Sequence, residues 1–367
     1  MEKLVITGAA GALGRRVLAQ WADQHQQSRP GSDGATFSSV LAIDRGSGSQ
    51  PFQSAPDVRH VVADLSTGDL KSLFEGSDVL VHLAAVDIDG AGSREASSTA
   101  ELAVLRRVLD AAGTVGIRHV VLLSSATVYG AWADNPVPLT EDAPLRPNPG
   151  FGFAASRAEL ERHAGEWRAD HPGTTVALLR PAVCPSVTGV SGWLFRAVRP
   201  GIGDRVVQAL PAMQFLHLDD LAGAVLHTAA HHLDGPYNVA PDGWIRGEDA
   251  PALLGTTVSV PLPGKVGDRV VGIGVRVRDF FEGRNRREGA VAWTRSPWVV
   301  ANDRLRATGW SPRSTSEETV VASRTPSRFA SLFARRRQEV TLAVVSLLAL
   351  VGVLAVAAIV RRFRRSR

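Results

Sequence analysis

Gly8, Gly11 and Gly14 stand at three-residue intervals between the apolar run Lys3-Leu4-Val5-Ile6-Thr7 and a helical pattern through Val17, Leu18 and Trp21. A strand, a glycine turn and a helix in this order suit phosphate binding. The first glycine permits the tight turn, the second lets the backbone approach a pyrophosphate, and the third lets the helix pack close on the strand. The helix N-terminus then faces the anion with unpaired N–H groups. A dinucleotide is the expected ligand. Val40-Leu41-Ala42-Ile43 reads as the second strand and ends on Asp44. A carboxylate there accepts both hydroxyls of the adenosine ribose and repels a 2′-phosphate, which selects NAD over NADP. Arg45 follows and can contact a phosphate. The polar stretch Gln26–Ser38 reads as an enlarged loop, which explains why Asp44 lies far from the glycines.

These residues need a scaffold, and the pattern supplies one. Val58–Val62 reads as a third strand before Asp64-Leu65, and Asp78–Ala85 as a fourth. Ala96–Val115 carries apolar residues at helical spacing, and His119–Leu123 reads as a fifth strand before Ser124-Ser125-Ala126-Thr127-Val128-Tyr129-Gly130. Strands alternating with helices imply an α/β fold, a Rossmann-type doubly wound parallel sheet.

Composition narrows the function classes. The chain has 367 residues and a net charge of +5, but the charge is uneven. Arg324–Arg367 holds ten arginines and one acid, so this tail is at +9 and residues 1–323 are at −4. A body without a basic stripe excludes nucleic acid as the partner. A lone Cys184 leaves no internal disulfide or zinc cluster. No metal site is expected. His217 reads as a helix-start residue, and the adjacent His231 and His232 point apart on a helix.

Val340–Val360 is 21 residues without a charge or a proline. As a helix it spans about 30 Å, the thickness of a bilayer core. Arg335-Arg336-Arg337 and Arg361-Arg362-Phe363-Arg364-Arg365 flank it. One C-terminal transmembrane helix (340–360) is therefore expected, with a basic linker (311–339) before it and a basic tail (361–367) after it. Arginine counts on the two sides are tied, so charge alone does not orient it. The nucleotide loop and the absence of a signal-peptide pattern place the body in the cytoplasm, on a single-pass cell-membrane protein.

Taken together, Thr7-Gly8-x-x-Gly11-x-x-Gly14, Asp64-Leu65, His82-Leu83-Ala84-Ala85 and the Ser124–Gly130 segment resemble the extended short-chain dehydrogenase/reductases. The similarity is to the NAD-dependent epimerase/dehydratase branch, which includes UDP-galactose 4-epimerase-like proteins. Leu179-Arg180-Pro181, Phe215-Leu216-His217-Leu218-Asp219-Asp220 and Gly235-Pro236-Tyr237-Asn238-Val239 extend the likeness to about residue 320. The resemblance implies an NAD-binding domain over 1–180 and a small α/β substrate lobe over 181–310, interleaved with it. Trp293, Trp298 and Trp310 would fill the core of that lobe. The resemblance also implies that Gly8, Gly11 and Gly14 cradle the pyrophosphate and Asp44 holds the ribose. Asp64 and Leu65 would sit by the adenine, and Leu83, Ala84 and Ala85 would line the channel to the nicotinamide. Ser125 matches the family's catalytic serine. A nucleotide-activated sugar is the implied ligand, and a homodimer through Ala96–Val115 and Ala154–Arg168 the implied assembly.

The pattern breaks where the chemistry belongs. The family's Tyr-x-x-x-Lys pair is one helical turn apart. The tyrosine is the general acid/base, and the lysine holds the nicotinamide ribose. Here the two positions are Phe153 and Arg157. Phe153 has no proton to transfer, a function worth about 10²–10⁴-fold in rate. Arg157 can donate to ribose hydroxyls, but with a bulkier, fixed geometry. With three lysines against 38 arginines, the second change follows the composition and the first does not. The family's substrate-contacting Asn is Val183, and its Arg-Asp-Tyr is Met213-Gln214-Phe215. Two functions follow: a membrane-anchored NAD-binding protein with weak or no redox catalysis, or an active oxidoreductase or epimerase on a nucleotide-activated sugar.

Overall fold

The computed structural model describes residues 1–27, 37–46, 57–84, 94–186, 195, 210–254 and 292–323. Their centre is a 7-stranded sheet: β1 (Glu2–Thr7), β2 (Phe37–Asp44), β3 (Val58–Val62), β4 (Val79–His82), β5 (His119–Leu123), β6 (Thr175–Pro181) and β7 (Gly235–Val239), in the order β3-β2-β1-β4-β5-β6-β7. Every neighbouring pair is parallel. The order reverses between β1 and β4, so the crevice at the carboxyl ends of these two strands is the ligand position this topology favours.

The strands are apolar because helices cover both faces. Side chains alternate along each strand. Leu4, Ile6, Val79, Val81, Val121, Ala177 and Leu179 face one core, with Val17, Leu18 and Trp21 of α1 (Ala12–Gln27). Val5, Leu80, Val120, Leu122 and Val176 face the other, with Leu105, Val108 and Leu109 of α3 (Arg94–Val115) and Leu160 and Ala164 of α4 (Gly152–Asp170). The short α2 (Leu70–Phe74) adds Leu70 and Phe74 to this second core. Helix α5 (Leu218–Ala230) completes the first face with Leu221 and Val225. A third apolar cluster joins Phe151, Met213, Phe215, Ile245, Trp293 and Trp298.

Several expectations are corrected. The loop read over Gln26–Ser38 ends earlier, because Phe37 is buried at the start of β2 and pairs with Glu2 of β1. β4 is shorter than Asp78–Ala85: the chain leaves the sheet after His82, where Leu83 N donates to the Thr7 carbonyl at 3.0 Å. Leu179-Arg180-Pro181 lies within β6. Trp310 belongs to the first core with Trp21, not to the third cluster with Trp293 and Trp298, since the chain has by then returned to α1 and α5. Met1–Val321 forms one compact unit. Among the described residues no helix is long and apolar enough to cross a membrane, and Val340–Val360 lies outside them.

Candidate dinucleotide site at the sheet edge

The glycine loop sits at the carboxyl end of β1. Gly8 has φ +76°, and a Cβ there would lie 2.6 Å from Ala84 N, so both conformation and space demand glycine. A Cβ on Gly14 would lie 2.3 Å from the Gly8 carbonyl oxygen, which is the close packing of α1 on the turn. Gly11 N donates to that same carbonyl at 3.1 Å, and Gly11 faces solvent. Gly8 N donates to Ile43 O at 2.9 Å, and Ala10 N donates to Asp44 Oδ2 at 2.9 Å. Asp44 thereby clamps the loop to the end of β2, and its other oxygen accepts from Gly46 N at 3.3 Å. A carboxylate offers about four lone-pair sites, so two remain for hydroxyl donors. Arg45 is exposed beside it.

Asp64 follows β3 and is exposed. Its Oδ1 accepts from Ser66 N at 2.8 Å and from Ser66 Oγ at 2.7 Å, and these bonds hold its carboxyl below the usual range, with a smaller pull from Arg45. Leu65 is buried in the second core. Leu83 and Ala84 lie half-buried against the glycine loop, and Ala85 falls outside the described residues.

β5 leads directly into Ser125, which caps a short 3₁₀ turn, Ala126–Tyr129. The buried Ser125 Oγ accepts from Thr127 N at 3.2 Å and from Thr127 Oγ1 at 2.9 Å. Phe153 and Arg157 stand one turn apart on α4, as the spacing requires. The Arg157 guanidinium lies over the Phe153 ring, 5.0 Å from its centroid. Its Nη2 donates to Glu101 Oε1 on α3 at 2.5 Å, and Nη1 donates to the Leu123 carbonyl at 3.2 Å. Arg157 is 6% exposed and Glu101 8%, so this is a buried ion pair. Arg157 Nε is buried without a hydrogen-bond partner.

The remaining titratable rings of this edge stay uncharged near neutrality. His82, at the end of β4, is hydrogen-bonded to Thr7 Oγ1 through Nδ1 at 2.6 Å. Burial, and then the charge of Arg157, push its pKa down to about 4. Tyr129 is pushed up to about 12 by burial, against the pull of Arg180. Its hydroxyl donates to Asn238 Oδ1 at 2.8 Å and accepts from Arg180 Nη1 at 2.6 Å. Arg180 also forks onto Glu161, with Nη2 to Oε2 at 2.6 Å and Nε to Oε1 at 3.0 Å. Ser124 Oγ donates to Glu161 Oε1 at 2.5 Å. Tyr129 is thus held inside a buried network with Asn238, Arg180 and Glu161.

Glu101 and Glu161 were not singled out by motif reading, although a signal existed. Glu101 occupies the same helical stripe as Leu105, Val108 and Ala112, where an acid must find a buried partner. The partner lies 56 residues away and only folding brings it close.

The substituted positions beyond β6 are structural. Val183 is buried and bridges Phe215, its carbonyl accepting from Leu216 N at 2.9 Å. Met213 bridges Ile245, and Phe215 packs on Trp298 at 5.5 Å between ring centroids. Gln214 Nε2 donates to the Gly243 carbonyl at 3.0 Å, and its Oε1 accepts from Val300 N at 3.1 Å. His217 caps α5, its Nδ1 accepting from Asp219 N at 3.2 Å. His231 Nδ1 lies 2.8 Å from the His227 carbonyl, and His232 Nε2 lies 2.8 Å from Glu2 Oε2, so the two neighbours diverge. Among the described residues no three His, Cys, Asp or Glu side chains are grouped to hold a metal ion. A cavity of ≈ 380 Å³ lies between α1 and α5, lined by Trp21, His25, His227 and Trp310, away from the carboxyl ends of β1 and β4.

Fold and site together define a doubly wound sheet with a glycine turn at its switch point. Residues 4–240 match the NAD dependent epimerase/dehydratase family, and the chain belongs to it. A Mycobacterium tuberculosis protein described as uncharacterized is 25% identical over 269 residues, 71% of this chain and 68% of its own. A Bacillus subtilis protein described as an uncharacterized UDP-glucose epimerase is 29% identical over 160 residues, 40% of this chain and 46% of its own. The fold resembles Thermus thermophilus UDP-glucose 4-epimerase in complex with NAD (TM-score 0.61, 17% identity, 87% of this chain and 96% of that one). It also resembles dTDP-glucose 4,6-dehydratase of Streptomyces venezuelae with NAD bound (TM-score 0.62, 19% identity, 88% and 95%).

Proposed function

We propose that this chain is an NAD-binding member of the epimerase/dehydratase family in which redox catalysis is weakened or lost. Gly8, Gly11 and Gly14 would take the pyrophosphate, Asp44 the adenosine ribose, with Arg45, Asp64 and Leu65 beside the adenosine half. Leu83, Ala84 and Ala85 would line the way to the nicotinamide. The fit rests on the glycine turn that a Cβ would close and on the free lone pairs of Asp44. NAD, when bound, supplies hydride acceptance, and the protein holds and orients it.

One observation carries the loss of catalysis. Phe153 stacks on Arg157, and Arg157 is neutralised by Glu101, so the position of the proton-transferring pair is filled by a closed structural unit. The conversion of Val183 and Met213-Gln214-Phe215 into core and backbone partners supports the same reading for the sugar side. We place the molecule at the cell membrane through Val340–Val360, with the body cytoplasmic and paired as a homodimer across α3 and α4. Its ligand would be a nucleotide-activated sugar that it senses or presents rather than turns over. The second reading, turnover of such a sugar, draws on the retained Ser125 and on the enzymes whose fold it shares.

The test uses the full chain in detergent. NAD binding is expected by titration calorimetry, with no cofactor reduction by UDP- or dTDP-sugars. Turnover by the unmodified chain would establish the second reading instead. Lack of NAD binding would remove both. The anchor is tested by fractionation: the full chain should sediment with membranes, and deletion of residues 340–367 should release it.

A further inference from the structure

We propose that Glu101 is the positioning residue of the nicotinamide end, and that by offsetting the Arg157 charge it lets the protein hold both redox forms of the dinucleotide. The inference rests on the NAD reading above. Arg157 is pinned on three sides: Glu101 takes Nη2, the Leu123 carbonyl takes Nη1, and the Phe153 ring supports the guanidinium plane. The fourth group, Nε, is a buried donor with no partner. A buried donor is costly unless a ligand or solvent satisfies it.

Arg157 Nη1 bonds the Leu123 carbonyl, one residue beyond Leu122, the register partner of His82, so the guanidinium charge stands at the carboxyl ends of β4 and β5. Oxidised nicotinamide is a cation and reduced nicotinamide is neutral. An uncompensated Arg157 would repel the oxidised ring and leave the reduced ring unaffected. Glu101 offsets that charge at 2.5 Å, so the site discriminates little between the two forms. Removing the Glu101 charge therefore discriminates against NAD⁺, whereas removing the Arg157 charge favours it. At an effective dielectric of about 20, a unit charge about 12 Å from the ring shifts the NAD⁺/NADH dissociation-constant ratio by about tenfold.

The experiment measures both dissociation constants on the full chain in detergent, with circular dichroism to confirm folding. Glu101→Gln is expected to raise the Kd ratio of NAD⁺ to NADH about tenfold. Glu101→Asp, which keeps the charge, should return the ratio to near the parent value. Arg157→Gln should lower it. Glu101→Gln combined with Arg157→Gln buries no unpaired charge, so it should fold and keep the parent ratio. An unmoved ratio in a folded single variant, or a shifted ratio in the double variant, overturns the proposal. In either case parental NAD binding would leave the proposed function standing. A parent chain that binds neither form would overturn both.

Discussion

The two halves of the site have been treated differently. At the proposed adenosine half, Gly8 and Gly14 stand where a Cβ would meet backbone, and Asp44 clamps the loop. At the proposed nicotinamide half, Phe153 supports Arg157, which is drawn into an ion pair with α3. Under the proposed function, binding and chemistry are separable: binding depends on backbone geometry and one carboxylate, chemistry on an ionisable side chain that Phe153 does not supply.

The contrast breaks first at Phe153. Phe153→Tyr with Arg157→Lys is expected to raise hydride transfer from a nucleotide sugar by about 10²–10⁴-fold, read as cofactor reduction at 340 nm. No gain, with NAD still bound, would mean that the sugar side is also closed, as Val183 and Phe215 suggest. The next largest effect lies beneath the site. Glu161→Ala leaves Arg180 buried without its counter-ion and should cost about 3–5 kcal/mol in urea unfolding, more than any change at the exposed Asp64.

Acid sharpens the comparison further. His82 is held at about 4 by burial and then by the Arg157 charge, and His119 at about 4 by burial and then by His232. An ordinary histidine titrates near 6.5, so the unfolded chain takes up these protons more readily than the folded one. The stability from keeping both rings neutral is fully present above about pH 6.5 and is lost as pH falls toward 4. Each ring contributes about 3 kcal/mol over that window. His82→Asn should remove about half of the acid slope in unfolding free energy, and an unchanged slope would place the lability elsewhere. The smallest effect belongs to the intact half. Asp44→Ala should weaken NAD binding about tenfold and narrow its preference over NADP, because one carboxylate is lost from two ribose hydrogen bonds.

The central strands are legible because both of their faces are buried, and the edge strand β3 by its valines between turn signals. β3 and β5 match their sequence reading residue for residue, and β1 is read within one residue, since a continuous apolar run between turn signals has few other uses. β2 was read too short. Phe37 lies at the end of a polar stretch, and its burial depends on pairing with Glu2. Trp310 was assigned to the wrong core for a similar reason: an isolated tryptophan carries no periodicity, and its neighbours are set by the path of the chain. Gly8, Asp44 and Phe153 could be read because each belongs to a spacing. Glu101 shows only that it needs a buried partner, because it is one acid on an apolar helix face, and the identity of that partner is not local.

The residues alone therefore determined the class of fold, the place of the dinucleotide turn and the absence of an acid at position 153. These depend on neighbours within one or two turns of chain, where spacing and chemistry are visible together. Tertiary structure decided the partners of the residues around Phe153. It brought Glu101 to Arg157 and closed Tyr129 into the network with Arg180 and Asn238. It also turned Val183 and Phe215 into core. Each of these pairings joins groups far apart in the chain, and only burial, which makes an unpaired charge or polar group expensive, determines which partner each one takes.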